Sequence, residues 1–217
     1  MKIILLILVI LTISVFYNEG LYHEEFFGDQ ATYHVMFTTK WGEDPSISHP
    51  PNPHTGNMFL VTHTDGFRLF ENGKLASKGV STTSMYGTLD ELFKTTNGNE
   101  NVGNIVTSNV LPAPGETNLM INVTPNKRYL SFVTMIAPSS DWFTGFSSID
   151  LMKDGKWING TTIPLYVYVA GTDSNQGFVT EHKMRKKALP IMIKTDSFLY
   201  PKNTVKPIAH VKITRIK

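Results

Sequence analysis

From Ala31 onward, large apolar residues recur at every second position. Tyr33, Val35 and Phe37 are separated by His34, Met36 and Thr38, the period of a strand with one buried face. The stretch from Asp44 to Asn57 is rich in proline, asparagine and histidine and predicts a loop, because proline cannot donate to a ladder. Met58–Val61 is an apolar run that reads as a buried strand. Phe67–Phe70 predicts another strand, turning at Glu71–Lys74 where Asn72-Gly73 can supply positive φ. Thr88-Leu89-Asp90-Glu91 has capping-box spacing, with Leu89, Leu92 and Phe93 on one side, and predicts one short helix over 88–94. Residues 95–117 read as loop. Leu119–Val123 and Tyr129–Ile136 are apolar strand runs. Ile163, Leu165, Val167 and Val169 alternate with Pro164, Tyr166 and Tyr168, as Val211 and Ile213 do with His210, Lys212 and Thr214. Many short strands, one helix and turn-rich joins predict an all-β fold, an antiparallel β-sandwich.

The beginning of the chain departs from this pattern. Met1-Lys2 precedes an unbroken apolar run from Ile3 to Val9, which continues as a mainly apolar stretch to Phe16. A positive residue followed by such a run reads as a secretory signal peptide over residues 1–20. A signal anchor is the alternative, since no small-x-small cleavage site follows. Residues 21–30 form an acidic, aromatic lead-in, and 31–217 form the folded domain. Secretion would make Asn122 and Asn159 candidate glycan acceptors, because each begins an Asn-x-Thr triplet. No other segment is long and apolar enough to span a membrane.

Composition narrows the function classes. The chain has 217 residues, 41% of them hydrophobic, with a net charge of +2. That balance argues against nucleic acid as a partner, which calls for a strongly basic face, and the apolar content argues against disorder. Cysteine is absent, which removes thiol nucleophiles, zinc thiolates and disulfides. No nucleophile elbow, zinc-protease helix, phosphate-binding loop or EF-hand signature occurs, so a non-enzymatic protein is expected. His49, His54 and His63 are the closest histidines, read either as loop and strand-end partners or as three zinc ligands.

Two carboxylates stand out. Asp141 and Asp173 each follow a buried-looking run, so both could project at one end of a sandwich. They are either Asx-turn caps or oxygen ligands for a hard cation. A secreted hydrolase using them with a nearby His is a third class. His182-Lys183-Met184-Arg185-Lys186-Lys187 is the densest basic run. It is either a solvated loop or a patch, formed by Lys183, Arg185, Lys186 and Lys187, for an anionic glycan or lipid headgroup. Trp142 and Trp157 sit beside apolar runs and read as core rather than binding platforms.

Taken in order, these motifs resemble the spondin domain family, the amino-terminal module of F-spondin and mindin. The resemblance runs from Tyr33 to the C-terminus. It begins with Tyr33-His-Val-Met-Phe37, Trp41 and His49-Pro50, and continues through His63, Phe67, Gly73, Ala76-Ser77 and Gly79-Val80. Its strongest piece is Ser131-Phe-Val-Thr-Met-Ile-Ala-Pro-Ser-Ser-Asp-Trp142. Gly145, Trp157, the Ala170-Gly171-Thr172-Asp173 loop and the strand Ala209–Ile216 follow. The resemblance implies a sandwich similar to C2 domains and a secreted, extracellular adhesion or matrix-binding role. Its partner would be a matrix or cell-surface protein or glycan. A mindin-like immune recognition protein, binding microbial glycan or lipid, is the alternative. It also implies calcium at one end, with Asp141 and Asp173 as ligands. Val169 stands where the family has a third Asp, so it could contribute only its backbone. The family's flanking cysteines are missing here, as are a thrombospondin repeat, a reeler domain and an Arg-Gly-Asp tripeptide.

Overall fold

The computed structural model describes residues 30–217. The expected leader and nearly all of the lead-in lie outside the described residues. Through the first half the elements are β1 (Ala31–Thr39), β2 (His54–His63), α1 (Lys78–Tyr86), α2 (Asp90–Thr96), β3 (Val102–Ser108), β4 (Leu111–Pro112) and β5 (Gly115–Val123). After them come β6 (Tyr129–Ala137), β7 (Trp142–Asp150), β8 (Met152–Lys153), β9 (Lys156–Trp157), β10 (Gly160–Leu165), β11 (Val167–Val169), β12 (Met192–Ile193) and β13 (Ala209–Arg215).

Two antiparallel sheets face each other. The smaller has the order β10-β13-β1-β5. In β1 the expected alternation holds, with Ala31, Tyr33, Val35, Phe37 and Thr39 turned inward. Val35 lies opposite Ile213 on one side and Leu119 on the other. The larger sheet has the order β12-β11-β7-β6-β2-β3, with β4 also paired to β2. Phe37, Phe132, Phe146 and Trp142 fill the space between the sheets. A second cluster, including Phe59, Val133 and Phe143, lies on the opposite face of the larger sheet under Val80 and Leu92 of the helices. Burial on both faces explains why β2 and β6 read as continuous apolar runs rather than alternating ones.

Several local expectations differ from the structure. Phe67–Phe70 is not a strand; it is an irregular segment that buries Leu69 and Phe70 in the second cluster. The single expected helix is present as α2, but without its capping box. Leu89 is the N-cap with no side-chain cap bond, and Glu91 pairs instead with Lys78 at 3.1 Å and Lys94 at 2.7 Å. The α1 helix was not legible, because Lys-Gly-Val-Ser-Thr-Thr-Ser is a poor helix former. It is capped by Ser77, whose Oγ accepts from Val80 N–H at 3.2 Å, and ends at Gly87 with φ +68°. Val80 and Met85 seat it against the larger sheet. The predicted loop over 95–117 contains β3, β4 and the start of β5, and β2 begins four residues before Met58.

His63 closes β2 as a buried residue. Its Nε2 is 2.7 Å from Ser131 Oγ and its Nδ1 is 2.7 Å from the Thr64 carbonyl. Burial holds its pKa below the ordinary 6.5. The fold therefore rejects a proton that the unfolded chain accepts, and stability is lost as pH falls through 6.5. Denaturant titrations at about pH 7.5 and about pH 5.5 should show His63→Gln losing less stability on acidification than wild type. Equal losses would remove His63 as a contributor.

Candidate functional site

Asp141 immediately precedes β7, and Asp173 follows β11 by four residues. These strands are antiparallel neighbours, with Val169 opposite Trp142. The start of one and the end of the other therefore adjoin, which brings the two aspartates together. Both are fully buried. Asp141 Oδ2 accepts from the backbone N–H of Thr172 at 2.7 Å and of Asp173 at 3.0 Å, with Thr172 Oγ1 at 3.4 Å. Its own carbonyl accepts from Ala170 N–H at 3.0 Å. Burial pushes the Asp141 carboxyl pKa upward, an effect the Asp173 and Thr172 amides partly offset.

Asp173 carries the arrangement one loop further. Its Oδ1 accepts from the N–H of Asn175 at 2.7 Å and of Lys183 at 3.1 Å. Its Oδ2 takes Lys183 N–H at 3.2 Å and lies 2.9 Å from His182 Nδ1. Further along, Lys183 and the 170–174 loop are joined by Ser174 N–H to Lys183 O, Arg185 N–H to Thr172 O and Leu189 N–H to Gly171 O, each 2.8 Å. The approach at Gly171 is open to glycine alone. Its φ is +77°, and a Cβ there would lie 2.2 Å from the Leu189 carbonyl oxygen. The basic segment is thereby fastened along 169–174 and runs into β12, the edge of the larger sheet.

As arranged, the three positions do not fit a calcium ion. Calcium takes 6–8 oxygen ligands. Here Asp141 Oδ2 and both Asp173 oxygens are engaged by N–H donors. Only Asp141 Oδ1 is lightly held, by Ser140 Oγ at 3.5 Å. Val169 is paired on both sides, with Trp142 and Met192, and its side chain packs on the core. Among the described residues no group of three or more His, Cys, Asp or Glu is placed to hold a metal. That includes His49, His54 and His63, the first two of which bond to nearby carbonyls. A groove of about 600 Å³ lined by Trp41, Asp44, Ile47, Lys206 and His210 includes neither Asp141 nor Asp173.

The basic residues divide. Lys183, Lys186 and Lys187 are exposed, and among the described residues none forms an ion pair. Arg185 is half-buried, and its Nε is buried without a hydrogen-bond partner. Asn122 and Asn159 are both exposed, Asn122 within β5 and Asn159 just before β10. Trp142 is buried; Trp157 is half-buried, edge-on to Tyr33. Sequence reasoning missed His182 as the partner of Asp173, because the basic run drew attention to charge rather than to the ring. It also missed Lys194, which is buried with its Nζ 4.3 Å above the Trp142 ring and paired to Asp196.

The family model Spondin_N matches residues 31–208. The chain belongs to the Spondin_N family. The Spondin_N match begins at β1 and takes in Asp141, Asp173 and the basic segment. Among curated proteins, the chain is similar to Spondin-2 of Rattus norvegicus, 27% identical over 210 residues, covering 86% of this chain and 62% of that protein. It is likewise similar to Spondin-2 of Homo sapiens, at 26% over the same shares. Spondin-1 of Gallus gallus is 27% identical over 170 residues, covering 70% of this chain and 20% of that protein. The chain thus spans less than two thirds of the Spondin-2 proteins and about a fifth of Spondin-1. Among the described residues no helix is long and apolar enough to cross a membrane.

Proposed function

We propose that this Spondin_N protein is a secreted, non-enzymatic adhesion module that docks on extracellular matrix or cell surfaces through its 183–192 segment. The observation that carries this is the fastening of that segment by buried Asp173. Lys183 is held by its own N–H to a carboxylate, while its side chain and those of Lys186 and Lys187 are exposed and unpaired among the described residues. Cations held on a fixed base lose less entropy on binding than cations on a loose loop. Family membership supports an extracellular setting, as does the apolar run that opens the sequence. In place of calcium, hydrogen bonds from Thr172, Asp173, Asn175, His182 and Lys183 serve the two carboxylates. Glycans on Asn122 and Asn159 would sit at β5 and just before β10, strands of the smaller sheet, whereas this segment borders the larger one.

The test is binding of the secreted protein to decellularised matrix. Lys183→Glu/Lys186→Glu/Lys187→Glu should retain the fold by circular dichroism yet bind at least about tenfold more weakly, because exposed charges govern encounter more than folding. Undiminished binding by the triple variant would remove this segment as the contact face.

A further inference from the structure

The same segment exposes more than charge. Met184 is 61% exposed, Leu189 48% and Met192 61%. Leu75, also exposed, is bridged to Pro190, and the turn beneath it is tied down by Gly73 N–H to Ile191 O and Ile191 N–H to Lys74 O, both 2.8 Å. Exposed apolar side chains thus alternate along the chain with lysines that form no ion pair among the described residues, in a segment that runs into the outer edge of the larger sheet. No Asp or Glu occurs from residue 182 to 195. A purely electrostatic contact with a sulfated glycan has no use for these apolar groups. A membrane interface uses both, with apolar side chains entering at headgroup depth while cations meet the lipid phosphates. Fastening along Gly171–Ser174 holds the two sets of side chains in fixed register.

We infer that the edge formed by Met184, Leu189 and Met192 with Lys183, Lys186 and Lys187 docks on an anionic phospholipid bilayer. This rests on the proposed use of the segment as the contact face and names its target. Binding is peripheral: charge complementarity draws the edge to the surface, and methionine, whose flexible thioether chain adapts to irregular surroundings, enters among the headgroups.

Co-sedimentation of the folded protein with vesicles tests it, using phosphatidylcholine alone, phosphatidylcholine with phosphatidylserine, and immobilised heparin as the glycan probe. The expected result is partitioning onto the phosphatidylserine vesicles only, weakened by salt. Each lysine near an anionic leaflet contributes roughly fivefold. The triple lysine-to-glutamate variant, which also reverses each charge, should therefore lose at least about a hundredfold in partitioning. Met184→Ser/Leu189→Ser/Met192→Ser should lose at least about tenfold in vesicle binding and keep its matrix binding. Two results overturn the lipid inference. One is matrix binding without vesicle binding, which leaves the adhesion reading standing. The other is a serine variant that binds vesicles as wild type does, with heparin held by both proteins, which assigns the face to sulfated glycans. Matrix binding that survives in the glutamate variant would instead remove the contact face itself.

Discussion

Replacing Trp142 with Ala should lower folding stability by about 3–5 kcal/mol. The indole is fully buried at the first position of β7. Phe178 and Phe198 pack against it edge-on, at centroid distances of 5.4 and 6.2 Å, and the Lys194 ammonium lies 4.3 Å above its face. Removing the ring opens a cavity and also strips the buried Lys194 of its cation–π contact, leaving Asp196 as its partner. The indole N–H is itself buried without a hydrogen-bond partner. Trp142→Phe should therefore cost less than Trp142→Ala, since it keeps most of the volume and removes an unsatisfied donor. Urea denaturation of the three proteins decides the point. A loss under about 0.5 kcal/mol for Trp142→Ala would place the ring at the surface.

The second large effect is expected at Asp141. Truncation to Ala leaves the buried N–H groups of Thr172 and Asp173 without their acceptor. Each unsatisfied buried donor costs about 1–3 kcal/mol, so Asp141→Ala should destabilise by about 2–6 kcal/mol. Asp141→Asn keeps an oxygen that can accept both bonds and removes a charge whose burial is costly, so its loss should be much smaller. Denaturant unfolding of both variants separates the roles. Equal losses for Asn and Ala would mean that the negative charge itself, rather than the accepting oxygen, holds the loop.

The strands with one buried face were the most legible parts of the chain. In β1 and β13 the alternation of Tyr33, Val35, Phe37 and of Val211, Ile213 follows directly from the pleat. The apolar run of β6 also marked itself. The α1 helix could not be read, because its threonines, serines and glycine are held helical by packing on β6 rather than by propensity. Phe67–Phe70 misled for the converse reason: an apolar run bounded by a turn is equally a plug that caps a core, and Leu69 and Phe70 do that. At the site, the proximity of Asp141 and Asp173 was legible from their positions at strand ends. What their oxygens do was not, since the donors come from backbone N–H groups and from His182, nine residues beyond Asp173. The lysines were visible as a run, but the exposure of Met184, Leu189 and Met192 was not. It depends on the path of the 184–190 segment and, for Met192, on β12 having no further strand on its outer side among the described residues.

That Asp141 and Asp173 fasten the basic segment through hydrogen bonds rather than through a cation is tested most directly by amide hydrogen exchange. The amides to follow are those of Thr172, Asp173, Asn175 and Lys183, in millimolar calcium and in excess chelator. The expected result is slow exchange at these amides, the same in both conditions, because their acceptors are carboxylates already engaged within the protein. Faster exchange in chelator, reversed on adding calcium, would contradict it and make the two aspartates metal ligands.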